Sequence, residues 1–438
     1  KLKKPVTSNL YGGQKGFMLD MVKSELLKLG FDEAEIQGGG LRVTTTFTPK
    51  AMAATKDGIA EQRPAGLNQL HAAAASVDTK TGALLGFYAG QDYLKSQLNW
   101  ANLGNAPGSS FKPFALAAGL SAGFSLKDTF QGSSPYRLPN GDTVKNEGQG
   151  DGHSYGAKID LVKATQESVN TAYVDLTESI PNGPEKIKAT AIKMGIPANT
   201  PGLSAVPSIA LGSASVSPIS MADAYATIAN RGVHNAVHVI NKVTRASDGE
   251  VLYSAPKKSE RAIREDVSDD VSYALQQVVK GGTGENAGAL GRPAAGKTGT
   301  ATRSDGQVIS SWFVGFTPQV ATAVMYIRGD GRKSLENYLV PFYGATYPTK
   351  SWTAIMKREM EGVEKVDFPP RANVDGTAPD SGHSPAPPKP TKKSTPTKNP
   401  VPTPTPTSNP TPSTPPTETP TPTPTPTPTC GLVLQPPC

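Results

Sequence analysis

The chain has 438 residues, 36% hydrophobic and 18% charged, with a formal net charge of +7. That length holds one large domain, or two smaller ones, plus a tail, and so low an apolar share excludes a chain that is globular throughout. The positive surplus suits anionic partners such as wall polymers, lipid headgroups or nucleic acid, or an ordinary solvated surface, and does not choose among them.

The chain opens on KLKKPVTSNLYGGQKG, which reads like the middle of a longer protein, with no signal peptide. GFMLDMVKSELLKLGF (16–31) has apolar residues at helical spacing, and LRVTTTF (41–47) is β-branched enough for a strand. Residues 72–90 predict a strand, a turn at Asp78–Gly82 and a second strand. FKPFALAAGLSAGF (111–124) predicts a helix, as does 158–180 with an interruption. A further helix is expected over 219–232, then a hairpin over 238–255 around Asp248-Gly249. The helix at 269–284 is expected to stop at Gly281-Gly282. Residues 292–330 carry three successive strand-like runs, turning at Ser304–Gln307 and Thr317–Gln319, and KSWTAIMKREMEG (350–362) is the last helix.

Strands at both ends with helices between them predict an α+β fold, an antiparallel sheet whose last strands lie beside the first hairpin. From about Arg371 the composition turns Pro/Thr-rich, and such a segment buries too little apolar surface to fold; it is expected to be extended and disordered. Residues 371–438 carry +2 of the charge, leaving +5 on the globular part. Cys430 and Cys438, the only cysteines, lie at the extreme C-terminus; a terminal disulfide loop and a bare tail fit equally. The five histidines show no metal-ligand spacing, and no run of 18 apolar residues offers a membrane span.

PGSSFKPF (107–114) is the most informative stretch. Proline is tolerated only in the first turn of a helix, so Pro113 dates the helix start to no earlier than about Ser109. Ser109 then stands at the N-terminus, where free N–H groups and the helix dipole favour developing negative charge. Lys112, one turn on, can approach its hydroxyl. A neutral lysine can activate a serine, and burial or a neighbouring cation supplies the neutrality. SxxK alone is common by chance, and a helix-capping serine with a solvated lysine is its ordinary reading. Two further motifs join it. Ser168-Val169-Asn170 forms SxN, whose ends reach one site only if the helix breaks there. Lys297-Thr298-Gly299-Thr300 opens the strand-rich end. SxxK, SxN and KTG, in this order and about 60 and 130 residues apart, match the signature of penicillin-recognising serine enzymes, with SxN in place of SDN.

Residues 1–362 resemble the linker and transpeptidase portion of class A (bifunctional) penicillin-binding proteins. The likeness extends to GGLRVTTTFTPK, AASVDTKTGALLGFYAG, NWANLGNAPGSSFKPF, SIALGSASVSPISMADAYATIANRG, GGTGENAGALGRPAAGKTGTAT and SWFVGFTP. It implies a linker region over 1–70, a penicillin-binding transpeptidase domain over 71–365 and a Pro/Thr tail over 366–438. The implied fold is an antiparallel sheet flanked by helices, with a mostly helical subdomain. The implied reaction is acyl transfer between peptidoglycan stem peptides, with no cofactor, metal or nucleic acid. Ser109 attacks the D-Ala-D-Ala carbonyl, D-Ala leaves, and an amine of a neighbouring strand resolves the acyl-enzyme. Lys112 is the implied base. Ser168 relays the proton, Lys297 holds Ser168 and lowers the Lys112 pKa, and Asn170 binds the donor amide and Lys112. Backbone N–H groups of Ser109 and Thr300 form the oxyanion hole, roughly 3 kcal/mol per donor. Thr298 and Thr300 receive the terminal carboxylate, and Gly299 leaves room for the substrate backbone. β-Lactams acylate Ser109 by mimicry. The resemblance also implies an upstream glycosyltransferase domain and membrane anchor, and an extracytoplasmic location on the wall side of the plasma membrane. Trp100 departs from the family, which commonly has Arg there.

Three other readings share these motifs. A serine β-lactamase needs a water-activating carboxylate, and Glu167 stands at the wrong place in the order for that loop. A D,D-carboxypeptidase differs only in using water as acceptor. A β-lactam sensor or wall-binding module uses the same pocket without turnover.

Overall fold

The computed structural model describes residues 10–138, 141–256, 258–303, 305–335, 342–376 and 383. The strands of four or more residues are β1 (Leu41–Thr45), β2 (Leu70–Asp78), β3 (Leu84–Tyr88), β4 (Ile240–Arg245), β5 (Val251–Ser254), β6 (Ala295–Thr302), β7 (Val308–Phe316) and β8 (Val320–Arg328). The α-helices are α1 (Lys15–Lys28), α2 (Glu33–Gly38), α3 (Pro49–Gln62), α4 (Lys112–Ser121), α5 (Leu161–Gln166), α6 (Asn170–Ser179), α7 (Gly183–Lys193), α8 (Pro218–Ala229), α9 (Glu265–Gly281) and α10 (Tyr347–Glu359).

The main sheet is antiparallel, in the order β6-β7-β8-β2-β3. Its centre is the long pairing of β8 with β2, from Val320 opposite Asp78 to Arg328 opposite Leu70. The last strands thus lie beside the first hairpin, as the α+β reading expects. Both faces are covered, which is why these strands read as continuous apolar runs rather than alternating ones. Successive side chains still point to opposite sides. Ala73, Ala75, Val77, Ala323 and Met325 face one core, with Phe114, Met221, Tyr225 and Leu275 from the helical side. Ala72, Ala74, Phe313, Val324 and Tyr326 face the other, with Ile59, Trp352, Ile355 and Met356.

Two of the helices without a sequence signal are explained locally. Thr48 caps α3 by accepting from the Ala51 N–H at 3.1 Å, with Pro49 in the first turn. Its buried residues, Ala51, Ala54, Thr55, Gly58 and Ile59, include one large apolar side chain, too weak a stripe to stand out, yet it shares the second core with α10. Helix α7 begins with Pro184 in its first turn and buries only Gly183, Ile187 and Ala191. Strand β1 pairs with β4, and β5 with β4, making a separate three-stranded sheet from the expected hairpin and the LRVTT run.

After α10 the chain turns back. The Phe368 ring meets Phe316 edge-on at 5.6 Å, and the N–H groups of Asn373 and Val374 donate to the buried Asp270 carboxylate at 3.0 and 2.9 Å. Backbone donors that have no ladder partner are thus satisfied by one side chain. The first residues of the tail expected over 366–438 are thus packed on the domain rather than disordered; 377–382 and 384–438, with Cys430 and Cys438, lie outside the described residues. Among the described residues, no helix is long and apolar enough to cross a membrane.

Candidate active site

Ser109 lies in a 3-10 turn, Gly108–Phe111, that runs directly into α4. The helix start inferred from Pro113 is therefore right to within a turn. The turn is held on every side. Gly108 takes φ +57°, and its N–H donates to the Gly212 carbonyl at 3.1 Å. Ser110 Oγ donates to the Lys297 carbonyl at 3.3 Å, and Tyr225 Oη donates to the Ser110 carbonyl at 2.6 Å. A Cβ on Gly108 would fall 2.4 Å from the Thr300 carbonyl oxygen, and one on Gly299 would fall 2.0 Å from that of Pro107. The missing side chain of Gly299, expected to make room for substrate backbone, makes room for the nucleophile's own turn. Strand β6 and the SxxK turn are locked together at backbone contact.

The SxN segment breaks the helix as the i, i+2 argument requires. Helix α5 ends in a Schellman arrangement: the Ser168 N–H donates to Thr165 O at 3.2 Å and the Val169 N–H to Ala164 O at 2.9 Å. The left-handed position is Ser168 itself, at φ +61°, where glycine is usual. A serine there carries about 1 kcal/mol of conformational cost or more. The return is that Ser168 and Asn170 both face Lys112.

Lys112 is fully buried. Its Nζ donates to the Ser168 carbonyl at 2.6 Å, to Ser168 Oγ at 3.2 Å and to Asn170 Oδ1 at 2.7 Å, and lies 5.4 Å from the Tyr173 ring centroid. Among the described residues Lys112 makes no hydrogen bond to Ser109; its bonds go to the SxN wall. The Ser109 hydroxyl is half-buried and makes no side-chain hydrogen bond among the described residues. Burial drives the Lys112 amine well below the ordinary lysine range, the Lys297 charge adds to this, and Glu147 opposes it. Lys297 is equally buried and is lowered to about 7, with Glu147 and Glu167 pulling it back up. Lys297 does not hold Ser168: its Nζ donates to the carbonyl and hydroxyl of its neighbour Thr298, at 3.2 and 3.4 Å. Its charge nevertheless acts on Lys112 as expected.

Asn170 reaches Lys112 through Oδ1, while its Nδ2 donates to the Lys145 carbonyl at 2.9 Å. Thr300 Oγ1 accepts from the Gly344 N–H at 3.2 Å. A cleft of about 390 Å³ opens beside Ser109, bounded also by Ser168, Thr298, Thr300, Glu147, Tyr155, Glu167, Thr283 and Tyr343. The last five have no counterpart among the residues expected from the motifs. Thr283 could have been suspected from its place directly after a helix-ending Gly-Gly. Its Oγ1 lies 2.7 Å from Thr298 Oγ1, and its N–H donates to Gln166 O at 3.2 Å. It ties the KTG strand to the helix that precedes SxN. Among the described residues, strand β6 stands at the edge of the main sheet.

The sequence and the fold both have known counterparts. Residues 72–338 match the family model described as the penicillin binding protein transpeptidase domain. The chain is 34% identical over 383 residues to penicillin-binding protein 1A of Mycolicibacterium smegmatis, covering 84% of this chain and 47% of that protein. It is 31% identical to penicillin-binding protein 1A of Mycobacterium tuberculosis, covering 84% and 46%. The chain thus spans about half the length of these curated relatives. The structure of PonA1 from Mycobacterium tuberculosis superposes with a TM-score of 0.76 at 30% identity, over 84% of this chain and 98% of that one. The same protein in complex with penicillin V gives 0.75 at 30%, over 84% and 99%.

Proposed function

This chain belongs to the transpeptidase family of class A penicillin-binding proteins, and on that premise we propose that it is a D,D-transpeptidase cross-linking peptidoglycan stem peptides through an acyl-enzyme on Ser109. The observation that carries the reading is the fully buried Lys112 amine, bonded to Ser168 and Asn170 and one turn from a serine clamped against the KTG strand; burial and the Lys297 charge lower its pKa toward the neutral form a base requires. Ser109 Oγ attacks the penultimate D-Ala carbonyl, and its proton passes to Lys112. Ser168, in contact with Lys112, relays that proton to the departing D-Ala amine. The donor lies along the open edge of β6, its terminal carboxylate on the Thr298 and Thr300 hydroxyls. Backbone N–H groups of Ser109 and Thr300 take the oxyanion, each roughly 3 kcal/mol of transition-state stabilisation. An amine of a second stem peptide then displaces Ser109. β-Lactams acylate the same oxygen. Its peptidoglycan substrate would put this reaction on the wall side of the plasma membrane.

The test is labelling with fluorescent penicillin followed by mass spectrometry of the labelled peptide. Label on Ser109, absent from Ser109→Ala, supports the reading; label retained by Ser109→Ala overturns it. A long-lived acyl-enzyme separates a transpeptidase from a serine β-lactamase, for which Glu167 at the cleft would have to activate water. Product analysis with and without an amine acceptor separates it from a D,D-carboxypeptidase. A sensor would acylate yet turn over no peptide.

A further inference from the structure

The acyl-enzyme of the proposed reaction is resolved by a primary amine, which reaches the cleft at neutral pH as an ammonium. The β6 wall, with its threonine hydroxyls and Lys297, suits an anion. The opposite wall carries the reverse charge. Glu147 is exposed on that wall and borders the cleft with Ser109. Its place is fixed by its neighbours. Asn170 Nδ2 donates to the Lys145 carbonyl at 2.9 Å, and the Thr171 N–H donates to Asn146 Oδ1 at 3.0 Å. Asn146 Nδ2 in turn donates to the carbonyls of Gly132 and His153 at 3.1 and 3.0 Å. The loop therefore runs along the first turn of α6, and Glu147 acts electrostatically on both Lys112 and Lys297. Glu167, the other cleft carboxylate, is already engaged by Lys163 at 2.7 Å. The Glu147 carboxylate makes no salt bridge or hydrogen bond among the described residues.

We propose that Glu147 is a specificity-determining residue that receives the acceptor as its ammonium. This rests on the transpeptidase reading and adds the entry side and charge state of the second substrate. One ammonium proton passes to Lys112 and on to solvent. The freed lone pair forms the new C–N bond to the acyl carbon. A second nitrogen proton goes to Ser109 Oγ as the ester C–O bond breaks.

The test compares two nucleophiles on the acyl-enzyme formed by a D-alanyl ester donor, using the full chain. One is an Nα-acylated diamino acid amide, whose terminal amine is an ammonium at neutral pH. The other is hydroxylamine, whose nitrogen is uncharged there. In Glu147→Gln the diamino acceptor should need a roughly tenfold higher concentration for half-maximal aminolysis relative to hydroxylamine, and added salt should shrink the wild-type preference. Glu147→Asp should keep part of it. An equal change for both nucleophiles would mean that Glu147 acts only through the lysines, and the proposal falls; no change for either also overturns it. A wild-type acyl-enzyme that yields only to water, whatever amine is present, sinks the transpeptidase reading itself.

Discussion

The Nζ of Lys112 lies 2.6 Å from the carbonyl oxygen of Ser168, and that carbonyl faces the amine because Ser168 holds φ at +61°. One residue thus supplies a backbone acceptor, a hydroxyl and the helix break that turns Asn170 toward the same amine. The backbone conformation and the chemistry of this site are separable by mutation.

Ser168→Gly and Ser168→Ala both remove the hydroxyl, but only glycine suits the left-handed backbone. Both should slow penicillin acylation by about 100-fold or more, the usual range for a lost proton-transfer group. Ser168→Gly should unfold at the wild-type temperature or above it, and Ser168→Ala should be less stable than Ser168→Gly by about 1 kcal/mol. Thermal melts beside stopped-flow acylation would check both. Equal stability of the two variants would contradict the left-handed assignment.

Lys297 keeps its proton in the folded protein only up to about 7, against 10.5 as its ordinary value. Between those values the unfolded chain binds more protons, so this group's contribution to stability rises with pH across that window. Its full deficit is present below pH 7. Lys297→Met should therefore be more stable than wild type below pH 7, by up to about 5 kcal/mol, converging near pH 10.5. Removing the charge should also move the acid limb of residual acylation to higher pH, because Lys112 is no longer repelled. Urea denaturation across pH, and a pH–rate profile, would measure the two effects.

Glu359 on α10 is buried, and burial raises its carboxyl to about 8, with Ser76 and Lys50 opposing. The folded state thus favours the protonated acid. Its stabilising share is intact below the ordinary 4.5 and is lost as pH rises toward 8. Glu359→Gln should be nearly neutral at pH 4.5 and stabilising at pH 8 and above, by up to about 5 kcal/mol. A stability difference that did not grow with pH would show that the acid is not held protonated.

Gly299→Ala would drive a methyl group into the Pro107 carbonyl and Ser110 Oγ, at 2.0 and 2.5 Å in the present geometry. The SxxK turn has to move. Acylation should fall far more than stability, which should drop by about 1–3 kcal/mol as for other overpacked sites. A variant labelled by penicillin at the wild-type rate would show that the turn-to-strand contact does not position Ser109.

Much of the architecture was legible because its signals are local. The hairpin around Gly82, the three consecutive strands and the α9 stop at Gly281-Gly282 all follow from turn chemistry and periodicity. Helix α3 escaped because its buried face holds two alanines, a threonine, a glycine and a single isoleucine, too little to mark that face as apolar. Thr283 and Glu147 escaped because neither belongs to a motif; each matters through a neighbour brought in from elsewhere in the chain.

The order SxxK, SxN, KTG, the proline that dates the nucleophile's helix, and the need for a break between Ser168 and Asn170 are properties of the linear chain. They rest on local steric rules and so could be read without coordinates. Which acceptors Lys112 bonds, that Lys297 turns to Thr298 rather than Ser168, and that Gly299 accommodates Pro107 were decided only by folding. These contacts join residues remote in the chain, and their energies depend on burial and on the position of other charges. No local pattern encodes those quantities.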